Sequence, residues 1–402
     1  MAAETKAAEK APETSSSLLS DEMLERFWER APGYDAENRF FDEDFAELKE
    51  AGYLTLAVPK ELGGRGLNLA ESCREQRRLA YCAAPTALAL NMHLYWTGVA
   101  ADLWRAGDRS LEWLLKATAA GEVFAAGHAE SGNDVPLLYS TTRAEKVKGG
   151  YRFTGRKSFG SLTPVWTYLG LHGTDTSDPK APKIVHAFMP RDTDGARITE
   201  TWDVLGMRAT RSDDTALDGA FVPDRLIARV VPAGAAGVDP FVLSVFAWGP
   251  LGFGNIYYGL ARRVFDLTVA RLKKKTSVAL TRTMAYHAEV QHTVGEMALA
   301  LQPIEPLLES VAEDWSRGVD HGAHWPAKLV GAKYWAVENG WRVVDQAIDV
   351  AGGFGIFRKA GLERLFRDAR LGRIHPANSF LTHEFAAKTA LGIDFDESPR
   401  WG

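Results

Sequence analysis

The strongest constraint on this 402-residue chain is that its hydrophobic period changes twice. Through residues 20–121 apolar positions recur at helical spacing. Through 122–231 they alternate, and from 239 to 391 helical spacing returns. A strand cannot bury a stripe of period 3.6, nor a helix an alternating face. The order helix, sheet, helix is therefore set before any motif is read. The pattern predicts an α+β protein, mostly α. A disordered tail covers 1–19, an N-terminal helical domain 20–121, a middle antiparallel β domain 122–235 and a C-terminal four-helix bundle 236–402.

Local signals place the elements. Ser20-Asp21-Glu22-Met23 reads as a helix start with acids in its first turn. Residues 44–52 form an amphipathic helix closed by Gly52, and 59–66 a glycine-rich loop. Residues 91–104 are apolar almost all round, so that helix is buried on most sides. Gly149-Gly150 joins 141–147 to 151–154 as a hairpin. Two β-like runs, 166–172 and 184–190, flank a polar loop over 175–182. Helices are expected over 242–275, 282–318 and 326–351, with a short last one from Ser379.

Composition serves mainly to exclude. A net charge of −5 gives no footprint for nucleic acid. No apolar run approaches the roughly 18 residues of a membrane span. Cys73 and Cys82 are the two cysteines, and both are expected as free thiols in a reducing, cytoplasmic compartment. The first seventeen residues lack the apolar core of a secretion signal. The C-terminal Pro399-Arg400-Trp401-Gly402 carries an aromatic side chain that is expected to pack on a neighbour.

Five stretches carry chemistry. Ala351-Gly352-Gly353-Phe354-Gly355 precedes Leu365-Phe366-Arg367-Asp368-Ala369-Arg370. Paired glycines let backbone approach a ligand with no Cβ in the way, though they also end many helices. Gly127-His128-Ala129-Glu130-Ser131-Gly132-Asn133-Asp134 favours an Asx turn. Gly155-Arg156-Lys157-Ser158-Phe159-Gly160-Ser161 reads as a strand with one aromatic. Trp202-Asp203-Val204-Leu205-Gly206-Met207-Arg208 is a turn feeding an alternating segment that closes at Phe221-Val222-Pro223. Lys273-Lys274-Lys275 ends a long helix, where cations complement the helix dipole.

Together these stretches resemble the acyl-CoA dehydrogenase superfamily of flavoproteins, over roughly residues 20–392. The resemblance implies FAD as cofactor and a homotetramer or homodimer. It assigns cofactor contacts to Ala129, Gly132, Asn133, Phe159, Gly160, Ser161, Lys274, Asp349, Gly352, Gly353 and Asn378. Phe159 takes the place of a flavin-stacking Trp, and Ser161 that of a Thr near flavin N5. Asp349 stands where the family has Gln. The family's catalytic Glu is missing. Its two usual positions fall on Pro376 and Val242. His375 and Asp239 are the nearest groups that would replace it as base.

Three readings remain open from sequence. The first is α,β-dehydrogenation of an acyl thioester, on coenzyme A or a carrier protein, with an electron-transfer flavoprotein as acceptor. The second is a monooxygenase that uses reduced flavin, FMN or FAD, from a reductase together with O2. Phe246, Trp248, Tyr257 and Tyr258 would then give the pocket an apolar lining. The third is a non-catalytic flavin-binding relative. No metal site is expected.

Overall fold

In a computed structural model the described residues are 18–234, 239–395 and 397. The first seventeen residues and the C-terminal Trp401 lie outside them. The expected tail is shorter than 1–19, because Leu19 is already buried in the core.

The helical domain is α1 (Asp21–Glu37), α2 (Asp42–Glu50), α3 (Leu69–Arg105) and α4 (Glu112–Ala119). Ser20 caps α1, its hydroxyl accepting from Met23 N at 3.2 Å. At the start of α3, Asn68 and Glu71 exchange hydrogen bonds as a capping box. Pro85 cannot donate into the helical ladder, and α3 kinks just ahead of it at Ala83. The second half of α3 is buried on nearly all sides, as its sequence requires.

The middle domain is one sheet of eight strands: β1 (Phe124–Gly127), β2 (Arg143–Val147), β3 (Gly150–Gly160), β4 (Tyr168–Asp175), β5 (Lys183–Pro190), β6 (Ala196–Thr199), β7 (Asp213–Pro223) and β8 (Ile227–Pro232). The order is β6-β7-β3-β2-β4-β5-β8, with β1 against β4. Most pairs are antiparallel, but β1 runs parallel to β4, as does the single β2–β4 pair. The sheet is therefore mixed where a purely antiparallel one was expected. The 128–142 crossing separates β1 from β2, so no hairpin fixes β1's direction.

The C-terminal bundle holds α5 (Pro240–Leu272), α6 (Ala288–Leu301), α7 (Ile304–Ser316), α8 (Trp325–Ala351), α9 (Leu362–Arg370) and α10 (Ser379–Leu391). The single helix expected over 282–318 is two, because Pro303 interrupts it. Helices α3 and α5 pack antiparallel and very closely. A Cβ on Gly98 would sit 2.1 Å from the Trp248 ring, and one on Gly259 2.4 Å from the Arg77 carbonyl. Among the described residues no helix is long and apolar enough to cross a membrane.

Candidate functional site

Three chain segments carry the expected site residues. The first is the end of β3 with the turn before β7. Phe159 has a left-handed φ of +57° and a ring 56% exposed. Trp202 meets it edge-on at 5.9 Å. Beside them runs a string of buried hydroxyls: Ser161 Oγ lies 2.7 Å from Ser212 Oγ, which lies 2.7 Å from Thr210 Oγ1. An exposed flat ring next to a hydroxyl string suits the face and edge of a flat heteroaromatic ligand. Gly160 pairs with Asp213 across the sheet.

The Arg367-Asp368 pair of the C-terminal motif holds this turn in place. Asp368 Oδ1 accepts from Met207 N, and a Cβ on Gly206 would lie 2.4 Å from the Arg367 carbonyl. Arg367 also reaches the Leu205 carbonyl at 2.9 Å and Asp35 at 2.6 Å. The pair is thus a joint between the two ends of the chain. Gly206 is glycine because backbone crosses backbone there.

The second segment follows β1. Glu130 is the hub of its loop. Its carboxylate accepts from Lys157 Nζ, Ser140 Oγ at 2.7 Å, Thr141 N at 2.8 Å, Thr142 N at 3.1 Å and Asn133 Nδ2 at 3.0 Å. Burial opposes the charge, yet the Lys157 ammonium and these donors hold the carboxyl down at about 2. Burial pulls Lys157 down to about 8. Asn133 was expected to meet the cofactor. Its Nδ2 is spent on Glu130 and on the Tyr139 carbonyl at 2.7 Å, and its Oδ1 on Val135 N at 3.0 Å. It is a loop staple with no free donor to offer. Ala129 bridges to Ser158, and Gly132 stands open with φ +78°. Behind this loop three imidazoles cluster, His128, His172 and His186, with rings 5.1–6.4 Å apart. Burial keeps all three neutral, and they form no metal-holding group among the described residues.

The third segment is the loop between α9 and α10. The His375 ring stacks on Phe253 at 4.8 Å and lies 5.7 Å from Tyr257. Its Nε2 is buried and unpartnered, as is the Tyr257 hydroxyl. Burial, with the nearby Lys333 cation, brings His375 down to about 3. The imidazole is thus neutral at any ordinary pH and a weak base. Pro376 is exposed and Val242 buried, so neither position carries an acid. Asp239 is no substitute either. It caps α5 by accepting from Phe241 N at 2.7 Å and sits 3.8 Å from Arg229.

Other expectations shift by one residue or one role. Lys274 is exposed, whereas Lys275 donates to the Ala351 carbonyl at 3.1 Å beside Gly352. Arg271 lies over the Phe354 ring at the same turn. Gly353 has open space around it, and Asp349 points to solvent. Asn378 caps α10, accepting from Leu381 N at 3.1 Å. Trp248 was expected in the pocket. Its Nε1 donates to Asp102 at 2.7 Å, where Trp315 also donates, so it bolts three helices together. Phe246 packs edge-on against Phe385. Sequence reasoning missed Lys333 and the Glu130–Lys157 pair. A lysine amid the apolar face of α8 was the available signal for the first.

Known proteins bear on this geometry. The family model for the acyl-CoA dehydrogenase N-terminal domain matches residues 17–121, and that for the C-terminal domain residues 251–380. The putative acyl-CoA dehydrogenase YdbM of Bacillus subtilis is 28% identical over 91% of this chain and 94% of its own. The amino sugar nitrososynthase DnmZ of Streptomyces peucetius is 29% identical over 95% of each. The FMN-bound dibenzothiophene monooxygenase TdsC of Paenibacillus sp. A11-2 shares the fold. Its TM-score is 0.81 at 20% identity, covering 94% of this chain and 97% of that one.

Proposed function

Because the chain belongs to the acyl-CoA dehydrogenase superfamily of flavoproteins, we propose that it works there as a flavin-dependent monooxygenase, with FMN or FAD, on a nitrogen or sulfur of its substrate. The observation that carries this reading is the state of the base positions. Removing the α-proton of a thioester needs a positioned group of adequate basicity. Here the two positions hold Pro376 and Val242, Asp239 is spent as a helix cap, and His375 is held at about 3. Nitrososynthase DnmZ and monooxygenase TdsC, two of the similar proteins, support the same direction.

Bound reduced flavin would supply two electrons to O2, one oxygen atom entering the substrate and the other leaving as water. The protein's residues do the rest. Phe159, backed by Trp202, offers the stacking surface, and the Ser161–Ser212 pair offers hydroxyls along one edge. Phe253 and Tyr257 wall the His375 side and keep bulk water from it. The neutral His375 imidazole can take or lend a hydrogen bond at Nε2 without carrying charge. Arg271 and Lys275, beside the open Gly352-Gly353 turn, would face the cofactor phosphate of a neighbouring copy in a homodimer or homotetramer. The electrons would come from a separate flavin reductase.

The test supplies the purified protein with FMN, a reductase, NADH and isotopically labelled O2. Candidate amines and sulfides are then screened for label. Label should appear in product, and His375→Ala should lower its yield by about tenfold to a hundredfold. Anaerobic bleaching of the oxidised flavin by an acyl-CoA thioester would instead overturn the reading in favour of the dehydrogenase.

A further inference from the structure

Lys333 lies in the first half of α8, 2% exposed. A helix that presents a lysine to the interior normally meets it with a carboxylate. Here no ion pair to Lys333 occurs among the described residues. Its Nζ instead donates to three backbone carbonyls of one loop: Gly372 at 3.2 Å, His375 at 2.8 Å and Ala377 at 2.9 Å. An ammonium has three protons, and each finds an acceptor. Gly254 of α5 faces this stretch of α8, where a Cβ would be in ordinary contact with the Lys333 Cα at 3.4 Å. Arg373 of the same loop pairs with Glu338 of α8 at 2.9 Å. The loop is thus tied to α8 twice, and the inner tie surrounds the residue with the free imidazole nitrogen.

We propose that Lys333 is the positioning residue of the site: its ammonium gathers the 372, 375 and 377 carbonyls and thereby sets the path of the loop and the place of His375. The segment is one 3-10 turn, Leu371–Arg373, followed by irregular chain, and no helix or strand runs on to take the 372, 375 and 377 carbonyls into a ladder. Charge-assisted bonds from one rigid helix supply that support. The inference rests on the reading of His375 as a group of the reaction site. Its test uses exchange and flavin affinity alone, so a failed turnover assay leaves it standing or falling separately.

Lys333→Met keeps the apolar stem and deletes the donors. Amide exchange over 372–378 should rise more than about tenfold, and the dissociation constant for FMN should rise with it, while protection in α3 and α5 holds. Unchanged loop protection, or equal loss across the whole chain, overturns the proposal. The native protein gives a second measurement that no folding defect can mask. Burial, only partly offset by Glu338, brings Lys333 down to about 7. Of the other groups facing it, Arg373 is paired to Glu338, His375 is already neutral, and burial pushes Tyr257 far above the usual tyrosine range. As pH rises from about 6 to about 10 the ammonium loses its proton. Protection of 372–378, corrected for intrinsic exchange, should then fall relative to α8. A ratio flat across that range overturns the proposal as well.

Discussion

The loop after β1 and the loop after α9 both carry expected site residues, and they are built in opposite ways. In the first, five donors converge on one carboxylate, Glu130, and Asn133 has no polar atom to spare. In the second, three acceptors converge on one ammonium, Lys333, and the imidazole they surround keeps an unpartnered nitrogen. A closed network fixes shape and has nothing left to give a ligand. A fixed support with one open atom is where chemistry can occur.

That contrast can be attacked from several sides. The largest effect should come from acid. Burial lowers His93 to about 4 and His186 and His375 to about 3. Below the ordinary histidine pKa of about 6.5 the unfolded chain binds protons that the folded chain refuses. The contribution of these rings is therefore full above about pH 6.5 and is lost as pH falls towards the folded values. Each ring contributes as much as about 1.4 kcal/mol per pH unit. Urea midpoints that stay flat from about pH 7 to about pH 5 would mean that these rings are not dry.

Next in size is Glu130→Gln, which leaves the buried Lys157 ammonium without its counter-charge. It should cost about 3–5 kcal/mol in denaturant unfolding. A loss below about 1 kcal/mol would show that the hub is no closed network. Smallest is Asn378→Ala. As a helix cap it should cost about 1 kcal/mol and leave flavin affinity nearly unchanged. A marked drop in affinity would return Asn378 to the cofactor and blur the distinction between the loops.

Much of this architecture was legible. The period changes located the three domains, because burial of a stripe or an alternating face admits only one secondary structure. The Ser20 cap, the Gly149-Gly150 hairpin and the open Gly352-Gly353 turn were all marked by local chemistry. Local chemistry also competes with the expected contacts. Asn133 and Asn378 carry the right groups to meet a cofactor, yet each satisfies backbone within a few residues of itself. Such short-range bonds win because closing them orders little extra chain. Lys274 and Lys275 differ by one position in the turn that follows α5, and only the packed chain decides which one faces Gly352.

By itself, then, the sequence determined the succession of elements, the family, and which residues stand at each expected position. All three are properties of residue type and spacing along the chain. Tertiary structure alone decided which polar groups are already spent and which stay free. It set Trp248 and Trp315 on Asp102, Glu130 on Lys157, and Lys333 beneath three carbonyls from a loop some 40 residues further on. Hydrogen-bond saturation depends on partners distant in sequence, and the burial that makes an unpaired atom costly exists only once the layers have packed.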